Sequence, residues 1–373
     1  MKKVFLTLAV IVMAICASAQ KNQYFWYQGN LMLGNPIAQI DSVTFGNEDD
    51  TDSIIVYLPR TIIKTVEVHD TVYITIHDTI CPNEDISENG ALPGEFSISA
   101  TKKVHFSSGN LQYNAALGTH QCADGTTQQG TWRFAENQWD FVGDETYGTV
   151  YANDVKCSNG QISATYNGWI DLFCWGTSGW NSGAVEYQPY STSESNSDFF
   201  VCGNSENDLV GECAYADWGV YNAISNGGNT TERWRLLTSE EWDYILNTRI
   251  NADMLSGLGI VSGINGLILL PDTWSETGTI SFIPNSYDAT ANIYSQQEWK
   301  MMEDLGAVFL PFTGVRDGLY MHDFESDGYY WTSTQSDSYY AWRLWIQTYS
   351  YYTYDFNNRY SGFAVRLVQD VVE

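Results

Sequence analysis

Apolar and polar positions alternate along parts of this chain, and the alternation predicts strands more often than helices. The clearest case lies at residues 66–77, where the even-numbered positions are mostly Val and Ile and the odd-numbered positions are polar or Tyr. Because successive side chains of a strand point to opposite faces, this period of two indicates an extended strand or stalk. The polar, turn-rich residues 82–94 that follow predict a linker.

Shorter apolar runs before the stalk predict a small β unit. Strands are expected at 24–27, 40–45 and 54–58, next to Gly, Asn, Asp or Ser residues that favour turns. The predicted parts of the chain are a small N-terminal β unit at 20–58, an extended stalk and linker at 59–94, and a main domain at 95–373. The first unit is too short to bury a large core of its own.

The main domain combines many short strands and Gly-, Asn- or Ser-rich turns with two helices. One helix is predicted after Thr238, which forms a capping box with Glu241. Its apolar face would consist of Trp242, Ile245 and Leu246. The other is predicted from Ser295 to a stop at Gly306. Its capping-box residue and apolar face would be Glu298, Trp299, Met302 and Leu305. Two helices in an otherwise β chain predict an α+β fold class.

Residues 1–19 have the pattern of a cleaved signal peptide. A basic start (MKK) precedes an apolar run at 4–15 and a small-x-small cleavage pattern at 17–19. This run is too short to span a bilayer and no other stretch is apolar enough, so no transmembrane segment is predicted. We expect an exported protein at the cell surface or outside the cell, with the periplasm left open. Cys16 offers lipid anchoring as an alternative, which the bulky Ile15 before it disfavours.

Charge and cysteine content narrow the partners and the compartment. The formal net charge of −28 repels DNA, RNA and anionic lipid surfaces, which excludes nucleic acid as a partner. Six of the seven cysteines lie beyond the leader, and an exported chain can oxidise them. Pairing of Cys202 with Cys213, pairing of Cys157 with Cys174, and free buried thiols all stay open.

Residues 336–361 differ most from the composition of a packed core. They contain seven Tyr and two Trp, diluted by Ser, Asn and Asp. Rigid amphipathic rings beside adaptable polar groups are typical of binding loops. The candidate ligand-binding residues are Tyr339, Tyr340, Trp342, Arg343, Trp345, Gln347, Tyr349, Tyr351, Tyr352, Tyr354, Asn357, Asn358 and Tyr360. The alternative is a packed aromatic hairpin whose Tyr hydroxyls reach solvent.

Alternation also assigns the two sides of this segment. If Leu344 and Ile346 face the core, side chains at odd-numbered positions face the other way. The residues expected to face solvent, together with a loop at 349–354, are then Arg343, Trp345 and Gln347.

Three motifs in matching order carry a family resemblance over about residues 92–370. Residues 234–244 (WRLLTSEEWDY) resemble the RLPTxxEWxY element of the formylglycine-generating-enzyme fold, with Leu237 in place of its proline. Residues 328–334 (GYYWTST) resemble the YWSST element of the Fibrobacter major paralogous domain, and residues 361–368 (SGFAVRLV) the shared ending GFxVR. Residues 104–113 (VHFSSGNLQY) and the strand at 40–45 are similar to segments of secreted Bacteroidetes proteins.

The resemblance implies a C-type-lectin-like domain without the chemistry of its enzymes. Formylglycine-generating enzymes use cysteines late in the domain, and none follows Cys213. Related iron-dependent enzymes need clustered histidines, and His105, His120 and His322 lack ligand spacing. No catalytic residue and no certain cofactor are therefore assigned, while structural calcium on loop carboxylates stays open and metal ligands stay unknown.

Together these patterns predict an exported, non-catalytic ligand-binding protein, such as a surface adhesin or fimbrial tip component. Its partner would be a protein or glycan on a host or bacterial surface. Similarity to retroelement-diversified proteins, which carry a hypervariable segment just before the GFxVR ending, implies that residues 336–361 are diversified. The alternatives are an enzyme on the same fold and a structural envelope component.

Overall fold

The computed structural model describes the strands at 22–27, 30–36, 42–45, 54–58 and 61–62, and residues 89–142, 158–275 and 280–372. The chain divides into two compact units, Met1–Glu84 and Asp85–Glu373. The predicted signal peptide and the alternating residues 66–77 lie outside the described residues. Within the described residues, no helix is long and apolar enough to cross a membrane.

The N-terminal unit contains two small antiparallel sheets in its described part. β1 (Asn22–Tyr27) pairs with β2 (Asn30–Pro36). β3 (Ser42–Phe45) pairs with β4 (Ile54–Leu58), which also pairs with β5 (Thr61–Ile62). The three strands predicted from apolar runs are confirmed, and β2 and β5 are additions to that prediction.

Five small sheets build the C-terminal unit, as far as it is described. Their orders are β20-β7-β6, β8-β9, β12-β10-β11-β13, β15-β14-β19 and β16-β17-β18. Neighbouring strands are antiparallel, except that β10 and β12 run parallel. The strands are β6 (Phe96–Ser97), β7 (Lys103–Phe106), β8 (Leu111–Gln121), β9 (Thr127–Phe134), β10 (Ser256–Val261), β11 (Ile264–Leu269), β12 (Ile293–Tyr294), β13 (Val308–Pro311), β14 (Thr313–Asp317), β15 (Tyr320–Phe324), β16 (Asp327–Gln335), β17 (Tyr340–Gln347), β18 (Ser350–Asn358), β19 (Ser361–Gly362) and β20 (Val368–Asp370).

The fold is mainly β, so the predicted α+β class is wrong. Strand makes up 35% of the structure and helix 17%. The α-helices of the described residues are α1 (Trp218–Tyr221), α2 (Ser239–Asp243) and α3 (Gln296–Asp304). A π-helical turn follows α2 at Tyr244–Thr248. Short 3₁₀ turns lie at Ser158–Gln161, Asn196–Phe199, Val201–Gly203, Gly211–Ala216, Ala252–Met254 and Ala289–Ala291. A capping box marks where a helix begins but not where it ends. The two capping boxes therefore led to an overestimate of the helical content.

Both predicted helix starts are confirmed. The hydroxyls of Thr238 and Ser295 accept from the backbone three residues on, and the glutamates of both capping boxes bond back. Trp299 and Met302 are buried, but Leu305 is 43% exposed, so the predicted apolar face of α3 ends one turn early. Gly306 follows with a φ of 94°, a left-handed conformation that suits its predicted role as the stop.

Buried side chains form three clusters, and β16 lies between two of them. Tyr329 and Trp331 belong to an aromatic cluster that also holds Phe363. Tyr330, between them in sequence, belongs to a second cluster with Leu344 and Ile346. Because neighbouring side chains of a strand point to opposite faces, β16 is covered on both sides. A third cluster surrounds Trp299, Phe309 and Leu270.

One disulfide joins Cys202 to Cys213, the first of the two pairings left open by the sequence. Cys174 is a free buried thiol, as is Cys122. Cys81 and Cys157 lie outside the described residues.

Candidate ligand-binding surface

The aromatic segment forms the central strand β17 and the edge strand β18 of the sheet β16-β17-β18. Burial decreases from β16, which is covered on both faces, to β18, where buried and exposed positions are mixed. In the register of the β17-β18 hairpin, Trp342 lies opposite Phe356 and Arg343 lies opposite Asp355. Exposed rings therefore concentrate on the hairpin, at the outer side of the sheet.

Five rings form a continuous row on this hairpin, which we call the ring strip: Tyr339, Tyr340, Trp342, Tyr354 and Phe356. Ring centroids are 6.3 Å apart between Tyr339 and Tyr340, and 5.2 Å apart between Tyr340 and Phe356. Trp342 lies 5.6 Å from Phe356 and 5.8 Å from Tyr354. Tyr339, Tyr354 and Phe356 are 58%, 52% and 47% exposed, whereas Tyr340 and Trp342 are half-buried between them.

The rings of the strip do not form a flat platform. Tyr354 and Phe356 stand at 85° and 82° to the plane of the Trp342 indole. Tyr340 is tilted by 38° from Phe356. The faces and edges of the rings are therefore presented in several directions around Trp342.

Phe356 is a strip residue that the sequence-based site does not contain. It shares the parity of Tyr354, two positions earlier, so alternation from Tyr354 to Phe356 was the signal that could have found it. The candidate binding residues were chosen as Tyr, Trp and polar residues, so a Phe was not among them.

Arg343 does not face solvent, which corrects the predicted orientation. It is 7% exposed, and its Nε donates to Asp355 Oδ2 at 2.6 Å. Its guanidinium carbon lies 4.3 Å from the ring centroid of Tyr329, 4.9 Å from that of Phe363 and 5.4 Å from that of Trp345. The prediction assumed that the face away from Leu344 and Ile346 is open, whereas the first aromatic cluster covers it.

Trp345, Tyr352 and Gln347 extend this opposite face. Trp345 is half-buried, stacks near Tyr329 and donates from Nε1 to Asp327 Oδ1 at 2.8 Å. Tyr352 is 47% exposed and lies 5.4 Å from Trp345 between ring centroids. Gln347 is half-buried at the end of β17. These residues lie apart from the ring strip, so the predicted site residues occupy two faces.

The predicted loop at 349–354 is mostly strand, because β18 begins at Ser350. Tyr349 lies at the turn and is 77% exposed. Tyr351 points the other way, and its hydroxyl lies 3.2 Å from Ser256 Oγ. Burial raises the pKa of Tyr351. The Tyr residues of this stretch therefore have different environments.

Asn357, Asn358 and Tyr360 help to anchor the hairpin. Asn358 Oδ1 accepts from Asn196 Nδ2 at 2.8 Å, and Asn357 Oδ1 accepts from the Asn358 backbone at 2.7 Å. The Tyr360 carbonyl accepts from the Cys174 thiol at 2.9 Å. These three oxygen atoms are thus used inside the protein.

Arg359, next to these residues, is a buried anchor that the sequence did not reveal. Its guanidinium lies over Trp175 and Phe200 and donates to the carbonyls of Ser205 and Asp337. Burial lowers its pKa to about 10, so it stays charged at neutral pH.

Carboxylates lie at both ends of the ring strip. Asp337 Oδ1 accepts from the backbone of Tyr339 at 2.7 Å and of Tyr340 at 3.0 Å. At the other end, Asp243 on α2 accepts from Thr353 Oγ1 at 2.9 Å. Burial raises the pKa of Tyr354, and the negative charges of Asp243 and Glu240 raise it further. The strip is therefore set in a negative environment.

Two other sites have perturbed carboxyl or imidazole groups. Burial raises the pKa of Asp217 to about 6, but its oxygens accept from the backbone of Gly219 and Leu236 beside a cavity of about 180 Å³. His322 lies 3.1 Å from Asp317 and 3.0 Å from Asp323, and these hydrogen bonds raise its pKa to about 10. Across the described residues, no three His, Cys, Asp or Glu side chains are grouped to hold a metal ion.

The chain matches no protein-family model, no curated protein and no solved structure. The resemblance based on residues 234–244, 328–334 and 361–368 therefore stays a prediction.

Proposed function

We propose that this chain is an exported, non-enzymatic ligand-binding protein whose ligand contacts the ring strip. The observation that carries the proposal is the unbroken row of five rings on β17 and β18, three of which are exposed to solvent. Contiguous exposed apolar patches of this kind are typical of binding sites, and Trp and Tyr often dominate binding energy.

The alternative of a purely packed hairpin does not account for Phe356. A Tyr at the surface can be explained by its hydroxyl, which prefers water. Phe356 has no polar atom in its side chain and is 47% exposed beside Tyr354, which is 52% exposed. Exposing both rings costs solvation free energy that a bound ligand would recover.

The hairpin that carries the strip is held from several sides. Arg343 bonds Asp355 across the strands, Thr353 bonds Asp243 on α2, and Asn358 bonds Asn196. A surface that is already ordered loses little conformational entropy when it binds, which favours affinity.

Export is proposed from the leader pattern at 1–19, and the cell surface is the location proposed with it. With the ring strip, this supports an adhesin or receptor-like role at the cell surface, with a protein or glycan as ligand.

The test is binding of the purified protein to panels of glycans and of host and bacterial surface proteins. The double substitution Tyr354→Ser and Phe356→Ser removes two exposed rings and is expected to abolish the strongest binding. Tyr349→Ser is the matched control, because Tyr349 is more exposed, lies on the same hairpin and makes no ring contact within the described residues. Equal binding by both variants and the unchanged protein would contradict the proposal, provided that circular dichroism shows the variants folded.

A further inference from the structure

Positive and negative charges are distributed differently between the interior and the surface of residues 301–372. Residues 301–372 contain four cationic Lys or Arg side chains, all of them arginine. They are 0%, 7%, 0% and 1% exposed: Arg316, Arg343, Arg359 and Arg366. The carboxylates of the same described stretch are all exposed or half-buried. Apart from His322, which is hydrogen-bonded to Asp317 and Asp323, the surface of this region therefore combines negative charge with aromatic rings.

The opposite face of the same hairpin shows what such rings bind inside the protein. There the guanidinium of Arg343 lies between the rings of Tyr329, Trp345 and Phe363 and pairs with Asp355. On the ring strip, no Arg or Lys of the described residues lies over any of the five rings. The strip thus has the ring and carboxylate chemistry of the inner face without its cation.

We infer that the ring strip binds Lys or Arg side chains of a basic protein partner. This inference rests on the proposed function and specifies its ligand. A cation over the face of a Trp or Tyr is attracted by the negative face of the ring. Asp337 at one end of the strip, and Asp243 with Glu240 at the other, would attract the same cation and repel acidic partners.

Ring orientation favours a cation over a sugar. Stacking of a flat sugar face needs an open, coplanar ring surface, whereas Tyr354 and Phe356 stand nearly perpendicular to Trp342. Rings at right angles resemble the aromatic cages that recognise ammonium groups, in which a cation meets several rings at once. Neutral glycans have no charge for the flanking carboxylates to attract.

The experiment is isothermal titration calorimetry of the purified protein with three synthetic peptides of equal length. One peptide carries four Arg residues separated by Ser, the second has citrulline in place of Arg, and the third has Glu. Citrulline keeps the shape of Arg and lacks its charge. We expect the Arg peptide to bind, the citrulline peptide to bind about tenfold more weakly and the Glu peptide not to bind.

Variants separate ring contacts from general attraction to an acidic protein. The double variant Tyr354→Ser and Phe356→Ser keeps every charge and is expected to lower the affinity for the Arg peptide about tenfold. The double variant Glu240→Gln and Asp337→Asn is also expected to lower the affinity for the Arg peptide, and that affinity should depend less on salt concentration. Tyr320→Ser is the control, because Tyr320 is 61% exposed and lies on a different sheet.

Each outcome decides between the proposals. Equal affinity of the Arg and citrulline peptides overturns the inference, because the cation then contributes nothing to binding. Full affinity for the Arg peptide in the Ser double variant also overturns it and leaves diffuse charge attraction. Binding of a neutral glycan that the Ser double variant abolishes, without binding of the Arg peptide, overturns the inference but supports the proposed ligand-binding function. Absence of any ring-dependent ligand in the panels and the titration overturns both.

Discussion

The two faces of the β17-β18 hairpin carry similar residues and differ in what covers them. On the inner face, Arg343 is buried among Tyr329, Trp345 and Phe363, a group that we call the Arg343 stack. On the outer face, the ring strip exposes Tyr339, Tyr354 and Phe356 by about half of their surface. Aromatic content is therefore no guide to role by itself, because the rings around Arg343 pack on a buried cation whereas three rings of the strip are open to solvent.

This comparison predicts that changes on the inner face alter stability and changes on the outer face alter binding. The inner face surrounds a cation with rings and a carboxylate, so removal of any member leaves a buried charge or a cavity. The outer face has no such buried charge, so its rings can be removed with little structural effect.

The largest expected effect is that of Arg343→Met. The substitution keeps most of the side-chain volume, but removes the charge that pairs with Asp355 at 2.6 Å. Breaking a buried pair from one side costs about 3 kcal/mol. We expect the free energy of unfolding in urea to fall by about that amount.

A double-mutant cycle identifies the cause of that loss. Adding Asp355→Asn to Arg343→Met is expected to cost less than the sum of the two single substitutions, because the partner charge is then absent as well. Additive costs would show that Arg343 stabilises the hairpin through packing alone, and the inner face would then be no model for a cation on the outer face.

A matched pair of Trp→Phe substitutions gives the next effect in size. Trp345→Phe removes the hydrogen bond from Nε1 to Asp327 at 2.8 Å and is expected to lower stability by about 1 kcal/mol. Trp342→Phe removes an indole N–H that donates to no acceptor within the described residues, and its stability change is expected within about 0.5 kcal/mol.

Ligand binding should rank the same two variants in the opposite order. Trp342 is the ring that contacts both Tyr354 and Phe356, and Trp is the strongest ring for a cation. Trp342→Phe is therefore expected to weaken ligand binding more than Trp345→Phe does. A larger loss of binding in Trp345→Phe would place the ligand on the inner face of the hairpin and not on the ring strip.

The sequence predicted the parts of this arrangement that depend on local pattern. The Thr238 and Ser295 capping boxes marked both helix starts, and the composition of 336–361 marked the hairpin. It could not predict the burial of Arg343, because alternation separates two faces but does not say which is covered. The covering residues, Tyr329 and Phe363, come from other strands, and only the fold brings them to the hairpin.

The same reason explains the wrong fold class and the missing strip residue. A capping box sets the start of α2, whereas tertiary packing decides that it spans only Ser239–Asp243. Phe356 is an ordinary core residue type, so composition did not mark it as exposed. Only its parity with Tyr354 pointed to it, and its contacts with Tyr340 and Trp342 appear only in the fold.

The smallest expected effect is a pH dependence that belongs to the inner side. His322 bonds Asp317 and Asp323, and Asp323 also accepts from the Tyr329 hydroxyl at 3.2 Å. These bonds raise the pKa of His322 from 6.5 to about 10. Because the folded state holds the proton more tightly, this stabilisation is complete below pH 6.5 and is lost as the pH rises towards 10.

The contribution is modest because the side chain of His322 is 47% exposed, and we expect under about 1 kcal/mol. The measurement is the melting temperature of the unchanged protein and of His322→Gln across this pH range. The unchanged protein should be the more stable of the two at pH 6, and the difference should shrink towards pH 10. A difference that is constant with pH would mean that His322 acts through neutral hydrogen bonds. Ligand binding on the ring strip should be the same in both proteins at pH 7. His322 is linked through Asp323 to Tyr329 of the Arg343 stack, which lies on the face opposite the ring strip.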